Sequence, residues 1–310
     1  MLQVTADIFS GRPNPSWIVS DEKEARAVLT EIARSRDLMT DAVPVGAGLG
    51  FRGMVVEPLS DDLAHDFGIA PSVYIPVSTG GGAGRGAEII DRLLSWIPQA
   101  ERPQDAVGGG LPLDESLRVF LKQQLELSVR MTTIDTAKPT VPPEVSAELA
   151  DAVCYYDLTP FNPGFWNNDA NVRLHNNCYH YASNKRRDTF WVKPGGGQPG
   201  AGCGHIYDWK QITCTEITRA ALCDRLHRRY DCFPDSEYPR HLVALVIWPG
   251  QDFHWYRKHK EGFWGHKPGS TAARNTDNSN NVIWDVLTCD RDHYTDFCGY
   301  FYTCRSQLIV

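Results

Sequence analysis

No cysteine occurs in residues 1–150, and all nine, at positions 154, 178, 203, 214, 223, 232, 289, 298 and 304, lie in residues 151–310. The first half of the chain therefore has no thiol, disulfide or thiolate-metal chemistry, and the two halves differ in kind. Long apolar runs are missing too. None approaches the roughly 18 residues of a membrane span, and the opening MLQVTADIFSGRPNP has neither the basic nor the apolar region of a secretion leader. Excess positive charge is absent: a net charge of −7, a pI near 5.8 and scattered lysines and arginines leave no footprint for nucleic acid or an anionic membrane. Nor is there a G-x-S-x-G, H-E-x-x-H, Walker or C-x-x-C pattern, which removes the best-marked hydrolase, zinc-protease, nucleotide and redox readings.

What is present fits two domains, since 310 residues exceed one minimal core. Residues 132–146, TTIDTAKPTVPPEVS, carry three prolines and no periodicity, so 132–150 reads as a linker between a small α/β domain over 1–131 and a cysteine-rich domain over 151–310. In the first domain, strands are expected over 2–9, 51–57 and 73–78, with SGRPNPSW as turn. A helix capped by Ser20 should bury Ala25, Val28, Leu29, Ile32 and Ala33, and two more are expected over 87–97 and 114–130. The second domain should hold a helix starting at Cys178, another over 215–229 capped by Thr215, and an antiparallel meander of 241–248, 252–259 and 262–267. The segments 280–287 and 297–304 could add strands. The fold class expected is α+β.

The stretch FWNNDANVRLHNNCYHYASN places Cys178 at a helix start, behind asparagines able to cap it, where unpaired N–H groups favour a thiolate. A nucleophilic cysteine needs an imidazole base, a group to orient it and oxyanion donors. His254 is the base candidate; it alternates with Phe253 and Trp255, so it shares a strand face with Asp252 and Tyr256. His266, across a turn near Lys260, should lie nearly opposite His254, while a turn at Pro249-Gly250 sets His254 opposite Leu245 and makes His241 the poorer partner. Asn168 and Asn177 are the oxyanion candidates beside the Cys178 N–H, with chain-capping as their plainer role.

This order, a helix cysteine followed by strand histidines, resembles the papain-like cysteine hydrolases in their compact NlpC/P60 and CHAP form. Cys178-Tyr179-His180-Tyr181-Ala182 is similar to the CHAP nucleophile, and His241-Leu242-Val243-Ala244-Leu245 with His254 is similar to the NlpC/P60 spacing. Arg240 stands where that family has glycine or aspartate, and the serine-glycine after the cysteine is missing. The likeness covers 154–270 and implies a papain-like domain and a peptide or peptidoglycan-like substrate; no cofactor and no metal are expected. The segments FSGRPNP and DFHWYRKHKEGFWGHKPG look like compact signatures of their own.

Two functions emerge as expectations. One is a thiol hydrolase cleaving amide bonds through Cys178, His254 and His266 or His241, with the N-terminal domain delivering, inhibiting or recognising. The other is a secreted, non-catalytic binding or toxin module held by up to four disulfides, with its histidines structural. Lesser readings are Asp277 or Asn278 as third catalytic member, a dinucleotide loop at Gly82, Gly84 and Ala87, which reads better as a surface loop, and zinc at Cys203 and His205.

Overall fold

A computed structural model describes residues 1–35, 48–77, 83–103, 111–131, 154–228 and 234–310. The expected linker, 132–150, and Gly82 lie outside these described residues. Helices combine with two antiparallel sheets, an α+β composition. The chain divides into two compact units, one of Met1–Phe9 with Pro13–Asp135 and one of Ser10–Arg12 with Thr136–Val310. Three residues of the N-terminal FSGRPNP segment thus belong to the C-terminal unit.

In the N-terminal unit, alternation in LQVTAD buries Leu2, Val4 and Ala6 and makes strand β1 (Leu2–Asp7). It pairs with β2 (Ser16–Val19) on one side and β3 (Gly53–Pro58) on the other, and β4 (Val73–Pro76) extends the sheet beyond β3. β1 stops before Ile8 because the Ile8 and Phe9 N–H groups turn to Asn14 Oδ1, at 3.0 and 2.6 Å. β2 is hidden in the sequence by the turn-rich residues that precede it. Helix α1 (Glu22–Arg34) buries Ala25, Val28, Leu29 and Ile32. Its cap is Asp21, not the expected Ser20: the Asp21 side chain accepts from Glu24 N–H at 2.8 Å. An unexpected short helix, α2 (Asp61–Phe67), runs between a Ser60 cap and left-handed Gly68. The longer α3 (Ala83–Leu94), which includes Gly84 and Ala87, and α4 (Glu115–Met131) match their apolar stripes with boundaries moved by a few residues.

In the C-terminal unit the sheet order is β5-β9-β6-β7-β8, formed by β5 (His227–Arg228), β6 (Leu242–Trp248), β7 (Asp252–Lys258), β8 (Trp264–His266) and β9 (Asp296–Tyr302). Gly250, at φ 71°, makes the tight β6–β7 turn. Every residue of β6 and β7 is buried. Short helices α5 (Gly164–Asn167), α6 (Ala170–Leu174) and α7 (Cys178–Ala182) precede α8 (Cys214–Cys223). The α8 cap is Thr213, whose hydroxyl accepts from Glu216 N–H at 3.2 Å, rather than Thr215. No strand forms over 280–287. Only a Thr276–Val282 bridge occurs there, and the Asp277 carboxylate instead organises a loop by accepting from Asn281 and Asp290 N–H at 2.8 and 3.0 Å.

Disulfides join Cys203 to Cys223 and Cys214 to Cys298, and Cys154 is disulfide-bonded as well. Cys178, Cys289 and Cys304 are free thiols. In a chain-entropy account the bridge spanning 84 residues stabilises more than the one spanning 20, each by about 2–4 kcal/mol. With Cys203 bonded to Cys223, a zinc site built on Cys203 and His205 is ruled out.

Candidate functional site

Asn177 caps α7, accepting from Tyr179 and His180 N–H at 3.1 and 3.3 Å while its own N–H donates to His180 Nδ1 at 3.2 Å. The Asn177 amide donates to Gly11 O and Gly197 O at 2.8 and 2.9 Å, so no donor is left for an oxyanion. Asn168, the other candidate, is exposed at the end of α5. Cys178 opens α7 as expected, but that helix is only five residues long and the thiol is fully buried. Burial, aided by the negative charge of Asp252, drives the thiol well above its ordinary pKa, against the pull of the Ser10 hydroxyl and the Trp255 backbone. The protonated thiol is the stable form, and a short helix does not reverse that.

Cys178 packs in a core with Tyr179, Ala182, Ile217, Phe253 and Trp255. Phe253 and Trp255 alternate with His254 along β7 and so face the other side of the strand. The Ser10 hydroxyl acts on both groups, on the Cys178 thiol and on His254 Nδ1. His254 Nδ1 meets the Ser10 hydroxyl, and His254 Nε2 meets His266 Nδ1 at 2.8 Å. His266 Nε2 lies 2.9 Å from Thr276 O and 3.3 Å from Arg274 Nε, so the row runs from Ser10 through His254 and His266 to Thr276 and Arg274. Burial, then the nearby Arg274, lowers the His266 pKa to about 3, and both rings in the row have both nitrogens engaged. His254 thus has a partner at each nitrogen, and neither partner is the thiol.

The structure thus brings His254 and His266 together and puts Ser10, rather than Cys178, on His254 Nδ1. The register differs from the expectation: His266 lies opposite Tyr256 and reaches His254 diagonally, and His254 lies opposite Val246, not Leu245. His241, just ahead of β6, sits near the other end of the hairpin, where its Nδ1 faces Asp157 O at 3.4 Å. Asp277 and Asn278 stay in their loop; the Asp277 carboxylate is taken up by backbone N–H groups.

Three residues of the cluster are absent from the sequence-based site: Ser10, Asp252 and Tyr294. The buried Asp252 carboxylate accepts from Ser10 N–H at 2.5 Å, from Gly11 and Arg12 N–H at 3.1 and 3.0 Å, and from the Tyr294 hydroxyl at 2.6 Å. Burial raises the Asp252 pKa and those four donors oppose the rise. Gly11 is required where it stands, because a Cβ there would meet the Phe253 ring at 2.4 Å. The middle of the compact FSGRPNP segment is thus a strap fastened to β7, and the signature itself is the one local sign of it.

Among curated proteins, the chain is 41% identical over 144 residues to insoluble matrix shell protein 1 of Ruditapes philippinarum, a stretch that makes up 46% of this chain and 88% of that protein. The chain belongs to the insoluble matrix shell protein 1 family. No family model and no solved structure matches it. Kinship with the insoluble matrix shell protein 1 family corrects the thiol-hydrolase expectation, and with it the peptidase and amidase labels, because the relative bears the name of a shell-matrix constituent and not of an enzyme. The geometry supplies a physical reason: a buried protonated thiol, a base with both nitrogens engaged and an oxyanion candidate whose amide is consumed. Nothing in this relationship supports a peptide or peptidoglycan substrate. Among the described residues no helix is long and apolar enough to cross a membrane.

Proposed function

We propose that the chain is a secreted, non-catalytic structural component of an insoluble extracellular matrix, its C-terminal unit a disulfide-stabilised module. The observation that carries this reading is the 41% identity spanning 88% of a shell-matrix protein. The disulfides Cys203–Cys223 and Cys214–Cys298 agree with it, since such bonds persist in oxidising compartments. So does the character of the polar cluster: Ser10, Asp252, His254, His266 and Tyr294 are all fully or almost fully buried, and they spend their hydrogen bonds on one another and on backbone, as a structural network does. A papain-like order of helix cysteine and antiparallel strands is compatible with this role when the cysteine is core.

Fractionation of the source tissue, combined with thiol labelling, tests the proposal. The protein is expected in the residue left after salt and detergent extraction, and iodoacetamide should leave Cys178 unlabelled until the fold is denatured. Recovery wholly in the soluble fraction, or peptide hydrolysis by the oxidised protein that Cys178→Ala abolishes, overturns it.

A further inference from the structure

Near the end of the β6–β7 hairpin away from His254 lies a second buried cluster. Arg257 is 3% exposed; its Nη1 donates to Tyr181 O at 2.8 Å and its guanidinium carbon sits 4.6 Å from the centre of the Tyr181 ring. Its Nε, also buried, has no partner. Pairing of Val243 with Arg257 sets His241 and His259 beside it, because 257 and 259 share one face of β7 and 241 and 243 share one face of the neighbouring chain. His259 Nδ1 donates to Thr159 O at 3.2 Å and its Nε2 accepts from the Tyr181 hydroxyl at 2.7 Å. Two further buried atoms of the same cluster, His241 Nε2 and Thr159 Oγ1, lack partners.

Among the described residues no carboxylate answers the Arg257 charge. Asp157 is engaged with Arg240 N–H at 2.8 Å, Glu261 holds Phe161 N–H at 3.1 Å, and Lys185, which acts on His241, adds positive charge. Nor does Arg257 appear in any ion pair among those residues. Lys267 provides the contrast. Equally buried, it donates to the carbonyls of Arg173, Asn176 and Gly269, so its ammonium is fully solvated by protein. A guanidinium cannot relieve its burial by losing a proton, and an uncompensated charge in the interior is strongly destabilising. Water would satisfy Nε without answering the charge, whereas an anion does both.

We infer that Arg257 holds a small monovalent anion of halide size within the C-terminal unit. The Arg257 Nε–H is the donor; His241 Nε2 is satisfied by a water or by a proton taken up with the anion.

Bromide is the probe. In crystals of the oxidised full-length chain grown with sodium bromide, anomalous scattering should place bromide against the Arg257 guanidinium. In solution, melting temperature should climb with bromide or chloride concentration and not with gluconate, a bulky anion, at equal ionic strength. Arg257→Met should remove that difference. Absence of bromide at Arg257 together with identical melting in the salts overturns the inference, as does a halide effect that survives in Arg257→Met. Should that variant fail to fold, the wild-type bromide map and salt comparison decide.

Discussion

In the N-terminal unit the buried carboxylate of Asp7 faces Arg52, which meets it through Nε at 3.0 Å and Nη2 at 2.5 Å, with the Tyr74 hydroxyl adding a third donor at 3.0 Å. In the C-terminal unit the equally buried Asp252 faces backbone N–H groups and a tyrosine hydroxyl, while the buried cations Arg257 and Lys267 face carbonyls. The first unit cancels charge with charge; the second spreads it over dipoles and neutral imidazoles, and adds disulfides that the first has no cysteines to make. One lesson is that the second unit stores its sensitivity in protonation and redox state, and the first in the buried Asp7–Arg52 pair.

Acid should separate the two most sharply. Burial pulls His180, His259 and His266 to about 3 and His241 to about 4, all in the C-terminal unit. Folded pKa values below the unfolded 6.5 mean that this stability is fully present above pH 6.5 and is lost as pH falls toward 4. Between pH 7 and 5 each histidine costs about 2 kcal/mol by linkage. Asp252, its pKa raised, acts in the opposite sense and offsets part of the loss. Urea titrations followed by near-ultraviolet circular dichroism should show the C-terminal transition moving to much lower urea at pH 5; an unchanged midpoint would mean the histidines are not buried neutral.

Arg52→Met should come next, at about 3–5 kcal/mol, because it strands the Asp7 carboxylate inside the protein. Its unfolding is read from fluorescence of Trp17, which is fully buried in the same unit. Opening the longer bridge with Cys214→Ala and Cys298→Ala together should cost about 2–4 kcal/mol, visible as a lower melting temperature and absent when the wild type is compared under reducing conditions. Ser10→Ala removes the hydroxyl that starts the histidine row and should cost about 1–3 kcal/mol. Smallest is Arg118→Ala, which breaks an exposed pair with Glu115 one helical turn away and should change the melting temperature little. A large effect there would blur the contrast between buried and surface charge.

Much of the fold is legible where a period runs long enough. The stripe Ala25, Val28, Leu29, Ile32 announces α1, and the Pro249-Gly250 turn between two apolar runs announces the β6–β7 hairpin. The same hairpin logic brings His254 and His266 together, although the exact register depends on turn geometry that sequence spacing does not specify. What stays hidden is non-local. Ser10 and His254 are 244 positions apart, and no local pattern records that a hydroxyl near the N-terminus occupies the nitrogen on which the expected chemistry depends. Cys178 departs from its expected role for a related reason: the helix start is visible, whereas the Phe253 and Trp255 rings that desolvate its sulfur come from a strand far along the chain. The 280–287 segment alternates like a strand, but Asp277 captures its backbone first.

Because the Ser10–Arg12 strap is interleaved with residues of the other unit, cutting the gene at the proline-rich segment would not yield an intact C-terminal piece. Such a fragment would carry an aspartate stripped of three amide donors and a histidine deprived of its hydroxyl. Supplying the missing SGR tripeptide by circular permutation, or on a short fused leader, is the practical route to studying that half alone.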